Sequence, residues 1–271
     1  MEQTVQDVMQ QLAYTRKGNG FPLVLVHGYL GSADVWRHHL PTLSIKFDVI
    51  APNLAGFGAS NTIEAPETIA GFAIQVLDLL DHLGVEQFHL LGHSMGGMIV
   101  QEMARMAPSR VQKLICFGTG PVGVLPNRFE PIERSRQRLQ EDGLAATADR
   151  IAATWFVDGE EAPEFYFCRT IALQTSMQAA LASLSAWEAW DGTEALPSIK
   201  AQTLVLWGDR DRSYGWSQPE ALWKGIPGAA LAVAPNCGHN VHMENSRLFS
   251  QLIDDFLTDT MGRSTRTKPN N

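Results

Sequence analysis

Apolar residues along the first half of the chain follow two patterns that alternate with each other. Continuous apolar runs lie at residues 22–26, 47–51, 87–91 and 111–117. Each run predicts a strand that is buried on both faces, as the strands of a parallel sheet are. Over residues 67–83 the apolar positions recur every three or four residues, which predicts an amphipathic helix. Strands that alternate with helices in this way predict an α/β fold, with a mostly parallel central sheet and helices on both of its faces.

The alternation stops after Gly118 and resumes only with the run that begins at residue 202. Residues 121–197 have a helical composition and no clear strand, and they are too long and too patterned to be a loop. We therefore expect a helical cap over 121–197, inserted between two strands of a core domain made of residues 1–120 and 198–271.

Shorter patterns predict the rest of the core domain. Apolar runs at 202–207 and 229–234 predict two further strands, and residues 244–257 predict a closing helix. Residues 8–17 favour an edge strand, and the polar residues from about 260 onward predict a frayed end. These elements complete the core domain on either side of the insertion.

Charge and cysteine content narrow the class of protein. The net charge is −8, the pI is about 5.5, and the basic residues are spread along the chain. We therefore expect neither nucleic acid nor an anionic membrane as a partner. Cys116, Cys168 and Cys237 have no C-x-x-C spacing, which predicts a reducing compartment, and Cys116 and Cys237 are expected to be buried thiols rather than a redox pair. The N-terminus is acidic and polar, and no apolar run approaches membrane-spanning length, so we expect a cytoplasmic protein and leave a homodimer open.

Residues 92–97 read G-H-S-M-G-G, between the run at 87–91 and a stretch with helical spacing. A strand that enters a G-x-S-x-G turn and leaves as a helix is a nucleophile elbow, in which the serine sits on a tight, strained turn. Gly92 and Gly96 are expected where only a residue without a side chain fits. The first N–H groups of the following helix point at the serine and stabilise negative charge there. Ser94 is therefore the predicted nucleophile.

A serine hydroxyl is a poor nucleophile until a base takes its proton, and histidine has the pKa for this work. His239 follows the last predicted strand and a glycine, at the sheet edge where ligand sites of open α/β folds gather. His239 is the predicted base, and His242 is expected to begin a helix. Because no third ligand accompanies these two histidines, we predict no metal site. We assign His27 to holding loops. His38, His39 and His82 lie in helical stretches that we expect to be exposed, and His89 and His93 lie too near the elbow to fold back onto it.

The base needs a carboxylate that fixes its tautomer and stabilises the imidazolium. Asp209 and Asp211 both follow the strand predicted over 202–207. Asp211 is the preferred acid, because the loop has to travel a few residues to reach the histidine, and Asp209 is the alternative.

Two main-chain N–H groups are expected to face the substrate's carbonyl oxygen as it becomes negative. One belongs to Met95, the residue after the nucleophile. The other is expected in the loop after the first central strand, where Tyr29 is preferred to Leu30.

Aromatic residues are frequent between residues 121 and 197. Most of them are expected to pack the cap onto the core, and some to line an apolar pocket above the serine. The candidates for the substrate pocket are Leu30, His93, Trp155, Trp187 and Trp190.

The predicted triad, in the chain order Ser94, Asp211, His239, resembles that of the α/β-hydrolase fold superfamily. The resemblance covers nearly the whole chain, with an H-G pair after the first central strand and a glycine-rich loop at 53–60. A further matching motif, G-H-x-x-x-x-E, lies at 238–244. The resemblance implies a capped serine hydrolase, similar to enol-lactonases, carboxylesterases and the hydrolases that cleave carbon–carbon bonds of ring-fission products.

Two positions depart from the usual pattern of that superfamily. The glycine-rich loop begins with Asn53 where aspartate is usual, and Ser246 stands where proline is usual. The first departure is expected to change only a local hydrogen bond. Haloalkane dehalogenases and epoxide hydrolases are similar to this chain but carry aspartate at the position of Ser94, which separates them from it.

The predicted reaction is hydrolysis of an ester or lactone bond in a small, largely apolar molecule, through an acyl-enzyme and without metal or organic cofactor. The alternative is a carbon–carbon bond hydrolase acting on a vinylogous diketone. Cationic cap residues that face the substrate's carboxylate would favour it, such as Arg128, Arg134 or Arg169. A slow-turnover ligand receptor and a non-hydrolytic enzyme of the same fold are less expected.

Overall fold

A seven-stranded sheet forms the centre of the protein. The computed structural model describes residues 11–124 and 130–259. The strand order across the sheet is β1-β3-β2-β4-β5-β6-β7, with β1 antiparallel to β3 and all other neighbours parallel. In chain order the strands are β1 (Tyr14–Lys17), β2 (Phe21–Val26), β3 (Phe47–Pro52), β4 (Phe88–His93), β5 (Val111–Phe117), β6 (Gln202–Gly208) and β7 (Ala230–Ala234). The expected α/β fold with a mostly parallel sheet is confirmed.

Helices cover both faces of the sheet. In chain order the helices of the described ranges are α1 (Leu40–Leu43), α2 (Ile69–His82), α3 (Met95–Met106), α4 (Ile132–Thr154), α5 (Phe165–Ala172), α6 (Met177–Glu188), α7 (Ser217–Gly225), α8 (Val241–Glu244) and α9 (Ser246–Leu257). Neighbouring residues of β2 show how the two faces are used. Val24 packs into the core beneath α2 and α3, whereas Leu23 and Leu25 pack into the core beneath α9. This two-sided burial is the physical reason for the continuous apolar runs.

Most predicted elements agree with the structure to within two or three residues. Helix α2 begins where the side chain of Thr68 accepts a hydrogen bond from the N–H of Gly71, as an N-cap does. The closing helix predicted over 244–257 is confirmed as α9, which begins two residues later because the side chain of Asn245 caps it by accepting from the N–H of Leu248. The edge strand predicted over 8–17 is present only from Tyr14 to Lys17; residues 8–10, like those from 260 onward, lie outside the described residues.

Helices α4, α5 and α6 lie in the chain between β5 and β6, where the cap was expected. The two ends of this segment meet. Val122 pairs with Asp191 in a single β-bridge, the N–H of Gly123 donates to Trp190, and the N–H of Gly192 donates to Pro121. The boundaries of the cap, 121–197, and its covering role stay predictions.

No helix within the described ranges is both long and apolar enough to cross a membrane.

Candidate active site

The turn between β4 and α3 places Ser94 in a strained backbone conformation. Its φ is 57° and its ψ is −121°, a region that residues other than glycine rarely occupy. Its N–H donates to the carbonyl of Phe117 at 2.9 Å, and its own carbonyl accepts from Thr119 Oγ1 at 2.8 Å. A Cβ atom at Gly92 or Gly96 would lie inside van der Waals contact with a main-chain carbonyl. The two glycines therefore have the steric role that the motif predicts.

His239 and Asp211 form a buried pair. The imidazole Nδ1 lies 2.9 Å from Asp211 Oδ2, and both side chains are almost completely inaccessible. Because a carboxylate only accepts, we assign the proton to Nδ1, which leaves Nε2 as the basic nitrogen. Asp211 Oδ1 accepts from the N–H groups of Ser213 and Tyr214, at 2.7 and 3.1 Å. The whole carboxylate is thus used to hold the imidazole and the turn that follows the acid.

Asp209, the alternative acid, is placed differently. Its carboxylate is about one-third exposed and lies 3.9 Å from the guanidinium of Arg210. The geometry therefore favours Asp211 over Asp209 as the partner of His239.

Two aromatic rings flank the imidazole of His239. The ring of Tyr214 stacks on it at 5.5 Å with an interplanar angle of 13°, and the ring of His93 lies at 4.5 Å. His93 Nε2 donates to the carbonyl of His239 at 3.1 Å. Burial lowers the pKa of His93 well below its usual value, and the pKa of the neighbouring His242 in the same way. Both imidazoles are therefore weaker bases than an ordinary histidine, and His239, rather than either of them, is held by Asp211 through its Nδ1.

The loop after β2 lies directly against Ser94. A Cβ atom at Gly28 would come within 2.8 Å of Ser94 Cβ and 3.4 Å of its Oγ. Leu30 in the same loop has a positive φ of 54°. This proximity is what an oxyanion site requires, and the assignment of its donors to the N–H groups of Tyr29 and Met95 stays a prediction.

His27 holds this loop, as predicted. Its Nε2 accepts from the N–H of Leu54 at 3.0 Å, so its Nδ1 carries the proton and donates to the carbonyl of Gly28 at 2.8 Å. Burial lowers the pKa of His27 to about 4, so the ring stays neutral and keeps both bonds at neutral pH.

A cavity of about 60 Å³ opens beside Ser94 and His239. Four of the five candidate pocket residues line it: Leu30, His93, Trp155 and Trp187. Trp190 does not, which corrects that expectation. Its indole N–H donates instead to Glu102 on α3 at 3.0 Å, so this tryptophan fastens the inserted segment to the core.

Several lining residues were missed by the sequence reasoning. They lie near the triad residues in the chain or on the inserted helices, and they include Ile151, Cys168, Tyr214, Asn240, His242 and Met243. Tyr214 is three residues after the acid, and Met243 is four residues after the base. Their proximity in the chain to the predicted triad was a usable signal, whereas nothing in the sequence pointed to Ile151 or Cys168.

The cavity wall carries no Asp, Glu, Lys or Arg among the residues that the structure describes. Arg169 pairs with Asp149 and Arg134 donates to Gln137, so neither guanidinium lines the cavity. Arg128 lies outside the described residues. The described lining therefore has no carboxylate, ammonium or guanidinium group, and its polar members are imidazole, amide, hydroxyl, thiol and indole groups.

Two further expectations concern residues near the site. All three cysteines are buried thiols, as predicted for Cys116 and Cys237, and desolvation raises the pKa of Cys116 and Cys168 to about 12. The prediction that His39 is exposed is wrong. Its ring is buried, with Nε2 2.8 Å from the carbonyl of His242 and Nδ1 2.9 Å from Ser250 Oγ.

The chain is similar to known hydrolases over almost its full length. It is 29% identical over 258 residues, 89% of each chain, to 2-hydroxy-6-oxo-6-phenylhexa-2,4-dienoate hydrolase of Burkholderia cepacia. It is 30% identical over 261 residues, 91% of each chain, to 2-hydroxy-6-oxononadienedioate/2-hydroxy-6-oxononatrienedioate hydrolase 2 of Pseudomonas putida. These relatives fit the carbon–carbon alternative better than the ester or lactone prediction.

Solved structures of esterases and lactonases are also similar. A thermophilic esterase from Thermogutta terrifontis superimposes with a TM-score of 0.83 at 30% identity, covering 93% of this chain and 94% of that one. The enol-lactonase from Burkholderia xenovorans LB400 gives 0.84 at 25%, covering 91% and 96%. The family model described as alpha/beta hydrolase fold matches residues 22–246. The protein thus belongs to the alpha/beta hydrolase fold family, and it is a hydrolase.

Proposed function

We propose that this protein is a serine hydrolase that cleaves the carbon–carbon bond beside the 6-oxo group of a 2-hydroxy-6-oxo-dienoate. The observation that carries the proposal is the similarity, over about nine-tenths of both chains, to relatives named as hydrolases of such compounds. The uncharged, partly aromatic cavity beside Ser94 and His239 is suited to the flat conjugated body of such a molecule.

The first steps use the triad as a nucleophile and its base. His239 Nε2 takes the proton of Ser94 Oγ, and Oγ bonds to the carbonyl carbon of the substrate. The carbonyl oxygen becomes an oxyanion held by the N–H groups of Tyr29 and Met95, each worth about 3–4 kcal/mol by the usual effect of removing such a donor. Asp211 stays ionised and holds the imidazolium.

Carbon–carbon cleavage requires the leaving carbon to accept an electron pair. In the 2-oxo tautomer of the substrate, in which the enol proton has moved to C5, the bond from C5 to C6 breaks and its electrons delocalise onto the 2-oxo oxygen. The 2-oxo oxygen, which now carries the electron pair, receives the proton that His239 took from the serine, and C5 is left as the terminal carbon of a diene. The acyl group on Ser94 is then hydrolysed by water, so the products are a carboxylic acid and a 2-hydroxydienoate.

Ester or lactone hydrolysis is the second candidate. The same serine, base and oxyanion site carry it out, with an alkoxide in place of the carbon leaving group. The absence of charged side chains from the described cavity wall favours it, because a dienoate carries a carboxylate and a simple ester does not. The similar esterase and enol-lactonase structures add support.

Two substrates tested side by side distinguish these reactions. Wild-type protein and Ser94→Ala are each given 2-hydroxy-6-oxo-6-phenylhexa-2,4-dienoate and 4-nitrophenyl butyrate, and the products are identified. We expect benzoate and a 2-hydroxydienoate from wild type only. Wild-type turnover of the ester alone would replace the proposal by the second candidate, and turnover by Ser94→Ala would overturn both.

The proposal extends to the location and the partners of the protein. Three buried free thiols are consistent with a reducing, cytoplasmic location. The expected partner is a small-molecule substrate rather than nucleic acid or membrane.

A further inference from the structure

Glu244, the last residue of α8, takes no part in the chemistry above, yet its carboxylate joins two parts of the site. Oε2 accepts from the main-chain N–H of Gly238 at 2.6 Å, and Oε1 accepts from the main-chain N–H of Val157 at 2.7 Å. Gly238 immediately precedes His239. Val157 belongs to residues 155–157, which follow α4 and which we call the strap. One carboxylate therefore holds the loop of the base and the strap at the same time.

Two more hydrogen bonds connect the strap to the triad loops. The N–H of Asn240, next to His239, donates to the carbonyl of Trp155 at 3.1 Å. The guanidinium of Arg212, next to the acid, donates to the carbonyl of Val157 at 3.1 Å. Because Trp155 lines the cavity, the strap connects one wall of the cavity to the loops of both the acid and the base.

The contact between the strap and the loop of the base is close. A Cβ atom at Gly238 would lie 2.9 Å from the carbonyl oxygen of Trp155 and 3.2 Å from Glu244 Oε2. A shift of either backbone segment therefore has to be accommodated by the other.

A carboxylate is the group that this position needs. Two N–H groups approach two different oxygens, and a carboxylate supplies both as strong, charge-assisted acceptors. Glutamine has the same shape but one acceptor oxygen, so its NH₂ group would face one of the two N–H donors. Glu244 is half-buried, and desolvation raises its pKa while the two N–H donors lower it. Burial therefore opposes the charge of this carboxylate, and the two N–H donors favour it.

We propose that Glu244 is a positioning residue for His239: through Gly238 and Val157 it fixes the imidazole relative to both Ser94 and the strap. The inference rests on the proposed serine mechanism and adds to it. Glu244 reaches its effect through the backbone and touches no reacting atom. A displacement of about 1 Å in a catalytic group costs about a hundredfold in rate, so a residue that acts on His239 only through the backbone can still control turnover.

The test uses the rate at which a fluorophosphonate probe labels Ser94, because this reaction needs the base but no knowledge of the natural substrate. Glu244→Gln is compared with wild type and with Glu220→Gln, a control on α7 whose carboxylate pairs with Lys224 near the surface. We expect Glu244→Gln to label about 10- to 100-fold more slowly, and Glu220→Gln to match wild type within about twofold. Far-UV circular dichroism and thermal midpoints check that each variant is folded.

Two further variants separate positioning from simple loss of structure. Glu244→Asp keeps the charge but draws the oxygens back by one methylene, and we expect slow labelling of a folded protein. Arg212→Met removes one bond to the strap without touching the loop of the base, and we expect a smaller effect than that of Glu244→Gln.

The outcomes are distinct. Folded Glu244→Gln or Glu244→Asp that labels at the wild-type rate, with only a lower thermal midpoint, would overturn the positioning role and leave the serine mechanism intact. Wild-type protein that is not labelled at Ser94 would overturn the serine mechanism, and the positioning role with it.

Discussion

Replacing Asp211 by asparagine changes one property of the site, the group that faces His239 Nδ1. At present Oδ2 accepts from the imidazole at 2.9 Å, while Oδ1 accepts from the N–H groups of Ser213 and Tyr214. In the variant the amide oxygen keeps the two main-chain bonds, so the NH₂ group is directed at Nδ1. A donor there selects the tautomer with its proton on Nε2. The nitrogen that should take the serine proton is then occupied.

The expected loss in kcat is about 10⁴-fold, the size found when a triad aspartate is made neutral in another serine hydrolase. That corresponds to about 5 kcal/mol of transition-state stabilisation. The fold should survive, because the side-chain volume and both bonds to the turn remain. Turnover of 4-nitrophenyl butyrate, or the labelling of Ser94 by a fluorophosphonate, measures the effect, and circular dichroism checks the fold.

Asp209→Asn is the matched control. The side chain of Asp209 is partly exposed and interacts with Arg210 at 3.9 Å, so we expect a rate within about twofold of wild type. A loss below tenfold in the Asp211 variant, or a larger loss in the Asp209 variant, would refute the assignment of the acid.

Three other predictions, two of them with a control variant, test separate parts of the structure. Gly96→Ala forces a Cβ against a carbonyl of β2, so the free energy of unfolding measured in urea should fall by about 2–3 kcal/mol. Gly215→Ala is the control, because its Cβ enters open space and should change that free energy by no more than about 0.5 kcal/mol. Equal effects of the two variants would contradict the close approach at the elbow. Trp187→Ala removes apolar cavity wall and should raise KM about tenfold. Trp190→Ala should lower the free energy of unfolding by about 3 kcal/mol and leave KM unchanged. A raised KM in the Trp190 variant would place this residue at the pocket. Burial lowers the pKa of His39 to about 4 from its usual 6.5, so between these pH values the residue binds more protons in the unfolded chain than in the folded one. Its contribution to the free energy of unfolding is therefore complete above pH 6.5 and is lost as the pH falls to 4, by up to about 3 kcal/mol. His39→Gln should make the measured decline shallower by up to about 3 kcal/mol without abolishing it, because burial also lowers the pKa of His27, His93 and His242; an unchanged slope would contradict the reasoning for His39.

The sheet and the triad loops could be predicted because both depend on local patterns. Strands buried on two faces are apolar throughout, as are those before Ser94 and Asp211, and His239 follows β7, an apolar run that is only partly buried. Because the carboxyl ends of parallel strands meet at one edge of a sheet, three residues distant in the chain could be placed together. The structure brings Asp211 and His239 within 2.9 Å of each other.

The inserted helices were harder, because helical spacing shows which residues share a face but not what that face meets. Trp187 lies on α6 and lines the cavity, whereas Trp190 lies two residues after that helix ends and bonds to Glu102, and the sequence did not show where the helix ends. His39 was misjudged for a related reason. It follows a short helical turn, and its burial depends on Ser250 and His242, more than 200 residues away.

The paired ends of the segment between β5 and β6 have an evolutionary consequence. Hydrogen bonds between Pro121 and Gly192 and between Gly123 and Trp190 close the segment at its base, while β5 and β6 pair directly with each other. Helices can therefore lengthen, shorten or be exchanged beyond this closure without altering strand pairing or the elbow. Selection can change which molecules are admitted while the inherited chemistry is left in place.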